Sequence, residues 1–254
     1  MQKMTKMNSA QTSKDEQGFQ ATILTLFPEM FPASLGHSLA GRALEKEIWS
    51  LDVHNIRDHA TDKHKTVDDV PLGGGHGMVM KPDVVSAALE NVASAPGKRI
   101  YLSPRGRLLN QAFARELSQD EGVVLVCGRY EGLDQRVIEH HQLIEVSVGD
   151  YVLSGGELAA QILLDSVIRL LPGVMGKDIG HLEDSFENDL LEHDLYTHPR
   201  VWNEMAAPDI LASGHHAKID AWRHEQSIAL TKKRRPDLFQ RFLAKFEENS
   251  GESS

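Results

Sequence analysis

The sequence predicts an α/β fold with a mainly parallel sheet, followed by a small all-helical region, and three observations carry that expectation. Apolar runs of strand length, ATILTLF at 21–27 and GVVLVC at 122–127, are bounded by turn residues. Segments of helical spacing alternate with these strands up to Gly173. Beyond Gly173 the strand signals stop: an acidic, aperiodic stretch gives way to two segments of helical spacing.

Each element has its own signal. The first strand, 21–27, is closed by Pro28, and 38–46 has helical spacing. Residues 50–57 form a second strand, followed by a polar loop carrying Gly73-Gly74-Gly75-His76-Gly77. A helix is expected over 82–92 and a short strand over 99–102, ending in the turn signal Ser103-Pro104-Arg105-Gly106. Residues 111–117 are helical, 122–127 form a buried strand, and 143–148 form another. Ser154 and Glu157 have the spacing of a capping box, so the next helix should run from there to Leu171 and stop at Pro172-Gly173. Residues 178–194 carry many acids and read as a linker or mobile loop. In the helical region, Ile219, Trp222, Gln226 and Leu230 share one helix face, with Trp222 as its anchor. Pro236 opens a last helix with the stripe Phe239, Phe242, Leu243 and Phe246, fraying from Glu247 onward. The domain organisation expected is a disordered tail at 1–18, a cofactor-binding domain at 19–176, an acidic linker at 177–194 and a helical domain at 195–254.

Composition narrows the function classes. The chain has 254 residues, 41% of them hydrophobic, which suffices for a sizeable core. No apolar run approaches the roughly 18–20 residues that cross a bilayer, and the polar start lacks the apolar centre of a signal peptide. A single cysteine, Cys127, precludes an internal disulfide and fits a reducing cytoplasm; it reads as core rather than nucleophile. The net charge of −10 argues against nucleic acid as a partner, but phosphate is contacted by local patches, and Lys232-Lys233-Arg234-Arg235 is one.

Three strand ends carry glycine or turn signals: 103–106, 128–132 and 149–156. Ligands of open α/β sheets collect where loops leave the carboxyl ends of strands, and glycine lets backbone groups reach them. Neither phosphate-binding fingerprint is present, because Gly173 to Lys177 is followed by Asp178 and no G-x-G-x-x-G follows a strand. A ligand without phosphates, such as an adenosine, suits these loops. The 13 histidines fall in pairs such as His140-His141 and His215-His216, without metal-ligand spacing.

Taken together, these segments resemble one family, the bacterial tRNA (guanine-N1) methyltransferases, TrmD. The resemblance rests on LFPEMF from Leu26, DKHKTVDD from Asp62, GGGHGMVM from Gly73 and YLSPRG from Tyr101. It continues through CGRYEGLDQR from Cys127, VGDYVLSGGELAA from Val148, EDSF from Glu183 and SGHHAKIDAWR from Ser213, spanning about residues 20 to 240 in order.

The resemblance implies a SPOUT-type catalytic domain with a trefoil knot that forms the cofactor site, a homodimer whose active sites are shared between chains, and S-adenosylmethionine as methyl donor. It implies tRNA as substrate, methylated at N1 of the guanine just 3′ of the anticodon, position 37. Magnesium is an assisting ion in the family, but no ligand cluster in this sequence is dedicated to it. By motif, Tyr101, Leu102, Ser103 and Pro104 form one wall of the adenosine pocket. Gly128, Tyr130, Glu131 and Gly132 form the second, and Val148, Gly149, Asp150, Tyr151, Val152 and Leu153 with Gly155 and Gly156 form the third.

Guanine N1 carries a proton and becomes a nucleophile on losing it, so the protein must remove that proton and align N1 with the methyl group. The resemblance makes Asp184 of EDSF the base. Arg169 is the cation that steadies the charge gathering on guanine O6, although Asp165 and Arg169 also have the spacing of a simple i,i+4 ion pair. Ser185, His215, Lys232, Lys233, Arg234 and Arg235 are candidate RNA contacts, which would position the tRNA rather than read the base. Two departures from the family pattern stand out: His76, where proline is usual, and His198, where a basic residue is usual. Two competing readings are an RNA-binding protein that kept the fold without activity and a knotted methyltransferase acting on ribose or rRNA. Asp184 and Arg169 weigh against the first, and LFPEMF, EDSF and the helical C-terminal region against the second.

Overall fold

The computed structural model describes residues 18–175 and 184–251. The tail expected at 1–18 lies outside these residues apart from Gly18, as do Glu183 and most of the expected linker before it. The chain divides into two compact units, residues 1–178 and 179–254.

The first unit is built on a five-stranded sheet, all of it parallel, in the order β2-β1-β6-β5-β7. Its elements in chain order begin with β1 (Phe19–Thr25), α1 (Ser38–Glu45) and β2 (Trp49–Asn55). A two-residue antiparallel pair follows, β3 (Asp68–Asp69) with β4 (Val79–Met80), framing the glycine tract. Next come α2 (Pro82–Asn91), β5 (Lys98–Leu108), α3 (Gln111–Leu117) and β6 (Gly122–Cys127). The unit closes with α4 (Gln135–His140), β7 (Ile144–Ser147) and α5 (Gly156–Ile168). Helix α4 has no counterpart in the sequence expectations.

The central strand β6 is a continuous apolar run because both faces of the sheet are covered there. Side chains alternate across the pleat, and two cores result. On one face Ile23, Ile100, Leu125 and Val146 pack with Ala40 and Ala43 of α1, Phe113 and Leu117 of α3, and Leu163 and Val167 of α5. On the other, Leu24, Tyr101, Val124 and Val126 pack with Val84, Val85 and Leu89 of α2 and Val137 and Ile138 of α4. Every residue of β6 is buried, as its central place requires. Pro82 opens α2, where its missing N–H costs no hydrogen bond.

Two local expectations are corrected. Ser103 to Gly106 is not a turn that ends a strand: β5 runs through it to Leu108, and the extra residues form a bulge between Leu102 and Arg107, both of which pair with Val146 of β7. Nor do Ser154 and Glu157 form a capping box. Helix α5 begins at Gly156, its N-cap Gly155 offers no side chain, and Glu157 is drawn inward to other partners. The helix ends at Ile168, short of Leu171.

The second unit comprises the hairpin β8 (Val201–Trp202) and β9 (Met205–Ala206), α6 (His216–Arg234) and α7 (Pro236–Gly251). Its buried side chains are Leu190, Ile219, Thr231, Leu238 and Phe242. Trp222 is half-buried against Tyr196, so Ile219 and not Trp222 is the deep anchor of α6. On α7 the inward stripe includes Leu238, 1% exposed, whereas Leu243 of the expected stripe is 39% exposed. The helix continues to Gly251 instead of ending near Glu247.

The stretch 184–194 was expected to be a linker or mobile loop; its residues are held in place by their own unit. Leu190 is buried, and the N–H of Leu191 donates to Thr231 Oγ1 (2.8 Å). Asp189 pairs with Arg241 (3.1 Å) and Lys245 (2.6 Å) of α7.

Candidate active site

The bulged part of β5 around Ser103 and the loops that leave the carboxyl ends of β6 and β7 converge on a cleft of about 200 Å³. Every residue assigned to the cofactor except Asp150 lines it; the Asp150 side chain is exposed on the loop after β7. Arg129, Val146, Ser147, Ser154 and Ala159 also line the cleft and were missed. Val146 and Ala159 carry no signal beyond apolarity. Arg129 stood inside CGRYEG, flanked by assigned residues on both sides.

The walls are held together by close backbone approach. The N–H of Gly156, at the first position of α5, donates to Gly128 O (2.9 Å), and a Cβ at 156 would lie 2.7 Å from the Cα of Cys127. Only glycine allows α5 to start this close to the end of β6. The ring of Tyr101 lies beneath the loop after β6: its hydroxyl accepts from the N–H of Leu133 (3.3 Å), and a Cβ at Gly132 would come within 2.6 Å of that oxygen. Burial pushes the Tyr101 phenol up, so it stays protonated. The loop after β7 is folded by its own bonds, Ser147 Oγ to Gly149 O (3.0 Å) and Tyr151 N to Gly149 O (2.9 Å).

One rim of the cleft is shared with the glycine tract. The N–H of Glu131 donates to Met78 O and the N–H of Met80 to Gly132 O, both at 2.9 Å. The Glu131 side chain covers Gly77, whose φ of +89° and lack of a Cβ make room for it. His76 and His198 are both exposed.

Beneath the cleft lies a buried polar network. Glu157, 1% exposed, accepts from Thr25 Oγ1 (2.7 Å) at the end of β1 and from Arg129 Nε (3.2 Å). A second Arg129 nitrogen lies 2.9 Å from the other carboxylate oxygen. The same guanidinium donates to Ser154 O (3.3 Å) and stacks over the ring of Phe27 at 4.3 Å. Cys127, adjoining this network, is fully buried; burial first, then the Glu157 carboxylate, push its thiol well up, so it remains neutral core.

The two proposed catalytic side chains are placed differently. Arg169 is half-buried and caps the far end of α5. The cleft reaches Ala159 on that helix, so the ten steps from Ala159 to Arg169 at 1.5 Å each put about 15 Å between them. Within one chain, therefore, the structure does not bring Arg169 to the cleft. Asp184 is half-buried in the second unit, just before a turn in which Phe186, Asn188 and Asp189 all take positive φ. Ser185 Oγ accepts from the N–H of Glu192 (3.0 Å).

Among the candidate RNA contacts, Lys232, Lys233 and Arg234 are exposed at the end of α6, where cations also suit the helix dipole. Arg235 is bound bidentately by Asp237 (2.9 and 2.6 Å), and that guanidinium lowers the Asp237 carboxyl to about 2. His215 precedes α6 without a side-chain capping bond. Among the described residues no cluster of three His, Cys, Asp or Glu side chains converges as a metal site would, and no helix is long and apolar enough to cross a membrane.

A parallel α/β unit with a glycine-walled, phosphate-motif-free cleft at its strand ends defines a class of small-molecule-binding proteins. Comparison with known proteins is more specific. The family model described as tRNA (Guanine-1)-methyltransferase TrmD matches residues 19–241. A tRNA (guanine-N(1)-)-methyltransferase of Agrobacterium fabrum is 57% identical over 227 residues, covering 89% of this chain and 98% of its own length. Relatives of the same name from Rhizobium etli and Bartonella bacilliformis are 58% and 59% identical, covering 88% and 87% of this chain and 96% and 95% of their own lengths. The chain belongs to the TrmD family of tRNA (guanine-N1) methyltransferases.

Proposed function

We propose that this protein is a tRNA (guanine-N1) methyltransferase that modifies the guanine just 3′ of the anticodon with a methyl group from S-adenosylmethionine. Family membership over nearly the whole chain carries the reaction class. The observation that carries the cofactor reading is the cleft itself, walled by Gly128, Gly132, Gly155 and Gly156, where a Cβ would collide with the Tyr101 ring, Arg129 or the Cys127 backbone packed behind it. Bound there, S-adenosylmethionine supplies a sulfonium-activated methyl group, so the protein needs no covalent intermediate.

The chain's own residues do the remaining work. The bulged part of β5 and the loops after β6 and β7 hold the nucleoside with backbone groups and apolar walls, in a knotted arrangement that family membership implies. Asp184 takes the proton from guanine N1, and Arg169 faces O6 and steadies the charge that deprotonation leaves there. The exposed cations Lys232, Lys233 and Arg234, with Ser185 and His215, hold the tRNA; Arg235 contributes less because Asp237 already binds it. The separation of about 15 Å along α5 between Arg169 and Ala159 at the edge of the cleft supports a homodimer in which each cleft is completed by its partner. The exposed apolar side chains of Leu158 and Ile162 on α5 support the same assembly. A tRNA-modifying role fits the cytoplasm. Magnesium finds no ligand cluster among the described residues to support it.

The test is nucleoside analysis of unmodified tRNA after incubation with the protein and S-adenosylmethionine. The expected product is 1-methylguanosine alone; a ribose-methylated nucleoside, or no product, would overturn the reading.

A further inference from the structure

The Arg129–Glu157 pair is buried machinery that the reaction does not use. Arg129 lines the cleft with its side chain 18% exposed, and its guanidinium is fully engaged by Glu157, the Ser154 carbonyl and the Phe27 ring. It is a strut rather than a hand free for a ligand. It is also a permanent cation in the wall of a site that, on the reading above, admits a cationic sulfonium. A buried charge next to that site acts through a low-dielectric medium. The carboxylate that cancels it comes from the second residue of α5 and is held by Thr25 from the end of β1. A surface ion pair would be wasted on this task; a carboxylate with 1% exposure is not screened by solvent.

We infer that Glu157 is a positioning residue that neutralises Arg129, so that the cleft accepts a positively charged ligand, and that Thr25 holds Glu157 to that role. The inference rests on the cofactor reading. It makes a prediction that a purely structural role does not, because S-adenosylmethionine carries one positive charge more than S-adenosylhomocysteine while filling nearly the same space.

The experiment is calorimetric binding of both ligands at pH 8 to the full chain and to Glu157→Gln and Arg129→Gln. Glu157→Gln leaves Arg129 unbalanced and should weaken S-adenosylmethionine roughly tenfold more than S-adenosylhomocysteine. Arg129→Gln leaves the carboxylate unbalanced and should shift the ratio the other way. The opposite signs keep the test decisive if one variant does not fold, since removing one member of a buried pair is costly. Thr25→Val should show a smaller shift in the direction of Glu157→Gln. Parallel losses for both ligands, or an unchanged ratio in the folded variants, would overturn the charge-balancing role. Failure of the unaltered protein to bind either ligand would instead overturn the cofactor reading on which it stands.

Discussion

At the scale of single residues, the reaction needs one proton acceptor and one cation, and Asp184 and Arg169 are the proposed pair. They differ in how far the sequence could reveal them. Asp184 is one acid among several in an aperiodic stretch, and only the EDSF motif singles it out. Arg169 looked equally like half of an ion pair with Asp165, four residues before it on the same helix. Substitution separates the roles. Asp184→Asn is expected to abolish methyl transfer while leaving S-adenosylmethionine binding within about twofold by calorimetry, since a proton acceptor contributes about 10²–10⁴ in rate and nothing to cofactor affinity. Arg169→Lys keeps the charge but not the planar fork, and should lower kcat by at least roughly tenfold. Turnover near normal in the first would remove Asp184 as the base; an unchanged rate in the second would favour the simple ion pair.

At the scale of elements, what was legible is what depends on neighbours in sequence. The runs that became β1 and β6 read as strands because both their faces are apolar, a property each run carries alone. The capping box failed for the opposite reason. Its spacing was correct, but Glu157 found Thr25, 132 residues away, and Arg129, 28 residues away, neither of which a local rule can see. The turn signal at Ser103 to Gly106 was read by its residue types, whereas pairing with β7 turned those residues into a bulge. On α7 the helical period was right and the stripe only partly placed: Phe242 is buried as expected, whereas Leu238 is buried too and Leu243 is 39% exposed. Leu238→Ala should therefore cost about 2–5 kcal/mol of stability in chemical denaturation, and Leu243→Ala under about 1. Equal losses would contradict the burial described for α7. Of the candidate site, the glycine-bearing strand ends were legible because ligand loops in this fold class sit there, and Arg129 was not, because its importance lies in what it touches.

At the scale of the whole molecule, the central question is how the cleft at the beginning of α5 and Arg169 at its end serve one reaction. A homodimer answers it, and mixing can test it. Arg169→Ala and a variant with an obstructed cleft, Ser154→Trp at an exposed lining position, should each be inactive alone. Mixed in equal amounts and allowed to exchange chains, they should regain about a quarter of full activity, because half the dimers are hybrids with one intact site of two. A mixture as inactive as its parents would mean that Arg169 serves the cleft of its own chain, or none. The proposed tRNA contact at the cationic end of α6 predicts binding that weakens as salt rises. The proposed reaction is defined most directly by its base and position. Methyl transfer from labelled S-adenosylmethionine to two tRNA transcripts that differ only at position 37, guanine in one and adenine in the other, should label the guanine transcript alone; equal labelling of both would contradict it.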